Sequence, residues 1–322
     1  MKAAVVTQNG VEVRDVPAPV AERNQVLVRV RACALNRADL GVAAGHKHGA
    51  IGGPGTIVGM EFAGEVVEVG AEASGLKPGD RVTCSGAAGF AEYAVADWGR
   101  ALPIPANMSF EQAATLPVAL MTMHNALVSA GRLAAGESVL VQGASSGVGL
   151  MALQIAKHMG AGLVIGTSTN ALRRAKLAQF GADLALDTAD PAWPDAVLAA
   201  TEGKGVHLII DQVSASVANA NMRAARVLGR IVNVGRLGGA KGEFDYDLHA
   251  LKRIAYIGVT FRTRSIEEVR EINRRMRADL WGAIEAGKLR LPLDRSFPLA
   301  EAPAALAYMR ANAHFGKIVL SA

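Results

Sequence analysis

Apolar and charged residues alternate with period two over residues 26–31 (VLVRVR), the pattern of a strand with one face in a core. A second β-like stretch covers 58–69 and closes at Gly70. KPGD at 77–80 reads as a turn, because Pro presets φ and Gly supplies a positive φ, and it leads into a strand at 81–84. After residue 89 a strand is expected over 90–95. Short strands joined by Gly and Pro turns through about residue 100 predict a barrel-like β region. At Ser109 the pattern changes: Ser-Phe-Glu-Gln opens a helix with Ser109 and Gln112 as a capping box, and a longer helical stretch follows Pro117.

From Glu137 onward strands and helices alternate: strand 138–142, helix 147–159, strand 163–166, helix 171–180, then short apolar strands at 206–211 and 230–235. That order predicts right-handed βαβ units and a doubly wound parallel sheet, so the fold class is α/β. The apolar stretch 254–261 is expected at the sheet edge, and covering it by a second copy predicts a homodimer. Beyond residue 262 come a charged helix, a helix near 300–310 and a strand at 317–321.

The chain has 322 residues, 51% of them apolar and 20% charged, with 35 Gly, which is enough apolar material for two cores and excludes a disordered chain. A net charge of +5 raises the question of an acidic partner. The densest basic run, 262–277, interleaves Glu267, Glu268 and Glu271 at helical spacing, as a solvated helix face does. Without interleaved aromatics or a helix-turn-helix or zinc-finger pattern, nucleic acid is not an expected partner. Two cysteines, Cys33 and Cys84, exclude a disulfide framework and a four-thiolate zinc site, and a cytoplasmic protein is expected. Residues 1–10 lack the features of a signal peptide and no window holds about eighteen uninterrupted apolar residues, so no membrane partner is expected.

Chemistry concentrates in VLVQGASSGVGLMALQIAKHMGA, residues 139–161, where glycines follow a strand and open a helix. Gly143 allows the tight turn; Ser145, Ser146, Gly147 and Val148 bring N–H groups and hydroxyls toward a pyrophosphate; Gly149 lets helix and strand pack closely. An NAD site would place an acid after the second strand, whereas this one ends Gly166-Thr167-Ser168-Thr169-Asn170. NADP (NADPH) is therefore the expected cofactor, with Thr167 and Ser168 donating to its 2′-phosphate and Arg173 pairing with it. Asp187 and Asp211 lie near later strand ends and do not follow the second strand.

NRADL (36–40), GMEFAGEVVEVG (59–70), LKPGDRV (76–82), GASSGVG (143–149), GRIVNVG (229–235) and HFGKIVL (314–320) together resemble the medium-chain dehydrogenase/reductase superfamily, and within it the zinc-independent, ζ-crystallin-like quinone oxidoreductase branch. The resemblance spans nearly the whole chain. It implies a GroES-like catalytic domain from residues 1–117 and 259–322, an inserted Rossmann domain from 118–258, and NADPH in a cleft. It further implies cofactor contacts at Thr122, Gly235, Arg236, Leu237, Thr260, Phe261 and Arg262.

In the zinc alcohol dehydrogenases a Cys takes the place of Asn36 and a His that of Met60, just before the Glu matching Glu61, so no metal is expected here. Cys33 is expected to be a packing residue, and His46 and His48 lack a third ligand nearby. Asn36 is the expected catalytic residue, polarising the substrate oxygen or fixing the nicotinamide ribose. Many relatives carry a tyrosine in the following loop; this chain has none between Gly41 and Gly59, which leaves Lys47 or a neighbouring histidine to contact the cofactor or an anionic group of the substrate. The expected substrate is a quinone or an α,β-unsaturated carbonyl compound. Alternatives are an enoyl-thioester reductase of the same fold and a non-catalytic NADPH-sensing or RNA-binding protein.

Overall fold

The computed structural model describes every residue except Ala50. The chain divides into two compact units, Met1–Val118 with Phe261–Ala322, and Ala119–Thr260.

The first unit starts with an antiparallel hairpin, β1 (Lys2–Thr7) and β2 (Gly10–Asp15). It continues through β3 (Gln25–Ala34), helix α1 (Arg37–Ala43), β4 (Glu61–Val69), β5 (Arg81–Ser85), β6 (Tyr93–Asp97), β7 (Ala101–Pro103) and the short helix α2 (Phe110–Ala114). Alternation in β3 sorts its side chains as the pattern predicts: Val26, Val28 and Val30 are buried while Arg29 and Arg31 are exposed. Two strands begin later than their apolar runs because the leading residues pair elsewhere. The Val58 N–H bonds the Ala4 carbonyl, the Phe90 N–H bonds the Val58 carbonyl, and Ala91 bridges Ala3. At α2 the capping box forms in both directions, Ser109 Oγ accepting the Gln112 N–H and the Gln112 side chain accepting the Ser109 N–H, each at 3.2 Å.

Helix α3 (Pro117–His124) follows. The helical run 110–130 is long and apolar enough to cross a membrane, yet 72% of its most apolar window is buried inside the fold, as in a core helix.

The second unit alternates β8 (Ser138–Val141), α4 (Gly147–His158), β9 (Leu163–Thr167), α5 (Ala171–Arg174), β10 (Leu184–Leu186), α6 (Trp193–Ala200), β11 (Val206–Asp211), α7 (Ala218–Ala224), β12 (Ala225–Asn233), α8 (Tyr246–Lys252) and β13 (Ala255–Gly258). All six strands run parallel in the order β10-β9-β8-β11-β12-β13. Strand order reverses between β8 and β11, which puts the switch point of a Rossmann sheet at the carboxyl end of β8. Leu140, Ile165, Ile209 and Ile231 form the sheet's share of the core, packed with Trp193, Val197 and Met222. The helix expected over 171–180 breaks in two: after α5 a 3-10 turn, Leu177–Phe180, ends on Gly181 with left-handed backbone. That tighter turn buries Leu177 completely against Gly166.

The chain then returns to the first unit with α9 (Ile266–Glu285), β14 (Leu293–Pro298), α10 (Ala302–Arg310) and β15 (Lys317–Ser321). The large sheet of this unit runs β14-β15-β3-β4-β5-β7, with β6 also on β3. β15 pairs with the end of β3, Val319 opposite Ala34 and Leu320 opposite Cys33. Both faces of β3 are covered there, so alternation stops: Ala32 and Ala34 join a small core with Ala63, Ala113 and Val319, while Cys33 faces the main barrel core. In α9 the buried residues Val269, Ile272, Met276 and Leu280 keep helical spacing, and Arg274, Arg275 and Arg277 are exposed, the solvated face read from the sequence.

Candidate active site

In the Rossmann unit the turn after β8 carries the glycine motif. Gly143 takes a left-handed φ of 65°, and a Cβ on Gly149 would sit 2.6 Å from the Gly143 carbonyl oxygen, so only glycine lets the first turn of α4 pack here. Ser146 is the N-cap: its Oγ accepts the Gly149 N–H at 3.1 Å and shares its proton between the Gly143 carbonyl and Gln212 Oε1. The cap engages only Gly149, which leaves the N–H groups of Gly147 and Val148 at the positive end of a twelve-residue helix. A phosphate fits that end without further machinery.

At the end of β9 the Ser168 and Ser145 hydroxyls lie 3.0 Å apart, so the structure joins two residues the sequence named separately. Asn170 caps α5 by accepting the Arg173 N–H, and Arg173 is half-buried in that first turn. Arg174, which the sequence reading passed over, donates to the Ser168 carbonyl at 2.8 Å and to Asp187 at 2.9 Å. Its adjacency to Arg173 in one turn was the available signal.

Thr167 requires a correction. It is 1% exposed; its single hydroxyl proton goes to Gln142 Oε1 at 2.7 Å and its oxygen accepts the Gly143 N–H at 3.1 Å. With its donor occupied inside the protein, Thr167 braces the glycine turn rather than meeting a 2′-phosphate. The brace continues inward: Gln142 Nε2 donates to Asn221, and Asn221 Nδ2 donates to Asp211. Burial pushes the Asp211 carboxyl above its ordinary range against the opposing N–H groups of Ser214 and Val213, so Asp211 is a brace as well.

Gly235 follows β12, held by the Ser214 hydroxyl donating to its carbonyl at 2.5 Å, with Arg236 and Leu237 exposed just after it. Thr122 is half-buried on α3, and Thr260 lies just past β13.

In the first unit Asn36 is the N-cap of α1 and sits in a cluster of buried charge. Its Nδ2 donates to Glu61 Oε1 at 2.9 Å, and its Oδ1 accepts from Lys317 Nζ at 3.0 Å. Lys317 also meets Glu61 at 2.5 Å, with side chains 6% and 0% exposed. Asp39 is fully buried and accepts the Asn36 N–H at 2.7 Å; burial pushes its carboxyl up to about 7. The sequence reading named Asn36 and matched Glu61 but missed Lys317, whose signal was a lone charge in the apolar run 315–320, and Asp39, which sits two residues from Arg37 and carries no such signal.

Lys47 is exposed on the loop after α1, and the loop approaches Arg262, whose backbone lies within 3.5 Å of where a Cβ on Gly49 would be. Burial and then the charge of Arg262 lower the His48 imidazole. Phe261 lies under the Arg264 guanidinium. Cys33 and Cys84 are free thiols at 0% exposure, raised by burial, which makes them packing residues.

Residues 22–106 match the alcohol dehydrogenase GroES-like domain, and residues 147–277 match the zinc-binding dehydrogenase domain. The rat (Rattus norvegicus) quinone oxidoreductase is 30% identical over 309 residues, 95% of this chain and 92% of its own. The chain belongs to the quinone oxidoreductase branch of the medium-chain dehydrogenase/reductase superfamily. A mycobacterial relative of this branch, solved in complex with NADPH, superposes over the whole of both chains with a TM-score of 0.88 at 26% identity. Polyketide synthase GfsB of Streptomyces halstedii is 33% identical over 303 residues, 93% of this chain. The chain spans only 5% of the length of GfsB, so in such synthases a segment like this quinone oxidoreductase-type chain is one part of a far longer protein.

Proposed function

We propose that this chain is a metal-independent, NADPH-dependent reductase that transfers hydride to a quinone or an α,β-unsaturated carbonyl compound. The observation that carries the cofactor half of the reading is the end of β9. There the buried Ser168 donates its hydroxyl proton to the half-buried Ser145, whose own hydroxyl is the one offered to a ligand, Arg173 and Arg174 follow within one turn, and the nearby Asp187 is already held by Arg174. Hydroxyls and guanidinium groups suit a 2′-phosphate, whereas a ribose 2′-hydroxyl calls for an available carboxylate. The NADPH complex of the mycobacterial relative supports the same choice.

NADPH, when bound, supplies the hydride. The chain's own part is to bind and orient: the N–H groups of Gly147 and Val148 for the pyrophosphate, the Ser145 hydroxyl with Arg173 and Arg174 for the 2′-phosphate, and Gly235 to Leu237, Thr122 and Thr260 for the rest of the nucleotide. Asn36 offers one N–H, since its carbonyl end is taken by Lys317, and that N–H donates to the acceptor oxygen or the nicotinamide ribose.

A catalytic zinc does not suit this donor set. Met60 offers a thioether, Asn36 an amide already engaged at both ends, and the Lys317 ammonium beside Glu61 repels a divalent ion. A homodimer is part of the reading. β13 is the last strand of its sheet, and Tyr246 and Leu251 on the preceding α8 are 77% and 72% exposed, which suits pairing with a second copy. Sedimentation at the mass of one chain would reject it.

Mixing the protein with NADPH and a panel of quinones, enones and enoyl thioesters, while following cofactor absorbance, tests the activity. Turnover of a quinone or an enone is expected. Turnover of enoyl thioesters alone would establish the second reading, which the identity to GfsB favours. Tight NADPH binding with no turnover would establish a sensor instead.

A further inference from the structure

Asn36, Glu61 and Lys317 come from three segments far apart in the chain, and their contacts assign the Asn36 amide without ambiguity. An ammonium has only donors and a carboxylate only acceptors, so the carbonyl end must face Lys317 and the NH2 end must face Glu61. A flipped amide would set its oxygen against the carboxylate and its NH2 against the ammonium, two contacts of like sign in a site closed to water. The side chains of Lys317 and Glu61 are 6% and 0% exposed, so water does not relax this demand.

Lys317 has no proton left for a ligand, and Glu61 is closed to one by its complete burial. Lys317 Nζ donates to the Leu35 carbonyl at 2.8 Å, Asn36 Oδ1 at 3.0 Å and Glu61 Oε1 at 2.5 Å, which occupies all three of its protons. Glu61 Oε1 takes Lys317 and Asn36, and its Oε2 accepts the Val118 N–H at 2.8 Å. Asn36 differs. It is partly exposed, and among the described residues its second Nδ2 proton has only the Ala34 carbonyl at 3.5 Å, the outer limit of a hydrogen bond.

We propose that Lys317 and Glu61 are positioning residues that lock the Asn36 amide in one orientation, so that its remaining N–H is the group presented to an acceptor or cofactor oxygen. The proposal rests on the role given to Asn36 above. It makes the buried ion pair a device of catalysis and gives the last strand of the chain, through Lys317, a part in the chemistry.

Glu61→Gln/Lys317→Met removes both charges together, so no buried ion is stranded, and leaves a glutamine that can serve either end of the Asn36 amide. Relative to wild type, kcat should fall roughly tenfold or more while KM for NADPH and acceptor moves by less than about threefold. The primary isotope effect with 4-deuterated NADPH should rise as hydride transfer becomes limiting. In the protein without cofactor, the Asn36 side-chain NH2 resonances, assigned by their loss in Asn36→Asp, should be widely separated in wild type and converge in the double variant. Glu61→Asp, which keeps the buried charges balanced but draws the carboxylate back from the Asn36 amide, should move both readouts in the same direction by less, and serves if the double variant does not fold.

Unchanged NH2 resonances, unchanged kcat, or a loss of kcat with no rise in the isotope effect would each overturn the proposal. If the wild type turns over no acceptor, the reductase reading fails, and the NH2 resonances still decide whether the amide is locked.

Discussion

The glycine turn of the Rossmann unit and the Asn36 cluster of the GroES-like unit are built on opposite physical plans. In the Rossmann unit no charged side chain takes part in the glycine turn: it is shaped by Gly143 and Gly149 and braced by neutral groups, Thr167 and Gln142. In the GroES-like unit Asn36 is framed by Lys317, Glu61 and Asp39, with two of the three side chains at 0% exposure and Lys317 nearly so. Backbone N–H groups and dipoles hold an anion without adding fixed charge of their own. A buried ion pair adds little net stability but makes its surroundings intolerant of any second arrangement. One plan suits grasping a large anion, the other suits fixing one small amide.

The sharpest break of this contrast is Lys317→Met alone, which leaves Glu61 charged and unpaired in the barrel. It should destabilise the protein by about 3–5 kcal/mol in denaturant unfolding, with most of that recovered in Glu61→Gln/Lys317→Met. If the single variant is as stable as wild type, the pair is not the dry contact described.

Next in size is Asp39. Its folded carboxyl titrates at about 7 against an ordinary 3.8, so the unfolded chain gives up this proton first. This contribution to stability is complete below about pH 4 and is lost as pH rises toward 7, at about 1.4 kcal/mol per pH unit at most. Lys317, Glu61 and Cys33 face the same site, and the Lys317 charge opposes the shift. Thermal melts across that window should show the decline in wild type and not in Asp39→Asn; parallel curves would remove Asp39 from the titrating set.

In the Rossmann unit the effects are smaller and fall on binding. Arg173→Ala and Arg174→Ala should each weaken NADPH binding by about 1.5–3 kcal/mol in calorimetry and leave NADH nearly unchanged. Equal losses for both cofactors would place the arginines elsewhere on the nucleotide. Ser146→Ala removes the cap of α4 and should cost about 1 kcal/mol of stability; a neutral result would mean that Gln212 and the turn backbone suffice.

The same contrast decides what could be read from the sequence. The glycine turn was legible because its constraints are local: a strand, a left-handed glycine and a close helix contact fall within a dozen residues. The parallel sheet was legible for the same reason, each βαβ unit carrying its own pattern. Thr167 was misread because residue type does not show whether a hydroxyl at a strand end faces solvent or the next strand. The ionic cluster was only partly legible, because its ligating atoms lie up to 281 residues apart and meet only when β15 joins β3. Asn36 stood out by its place in a motif, while Lys317 looked like a polar residue opening a strand.

The most direct test of the account is transfer of deuterium from 4-deuterated NADPH to product, followed by mass spectrometry with a quinone and an enone as acceptors. The account predicts a label on carbon in the reduced enone, NADPH consumed with the quinone, and much weaker use of NADH. Unlabelled acceptors recovered beside intact, bound NADPH would contradict it.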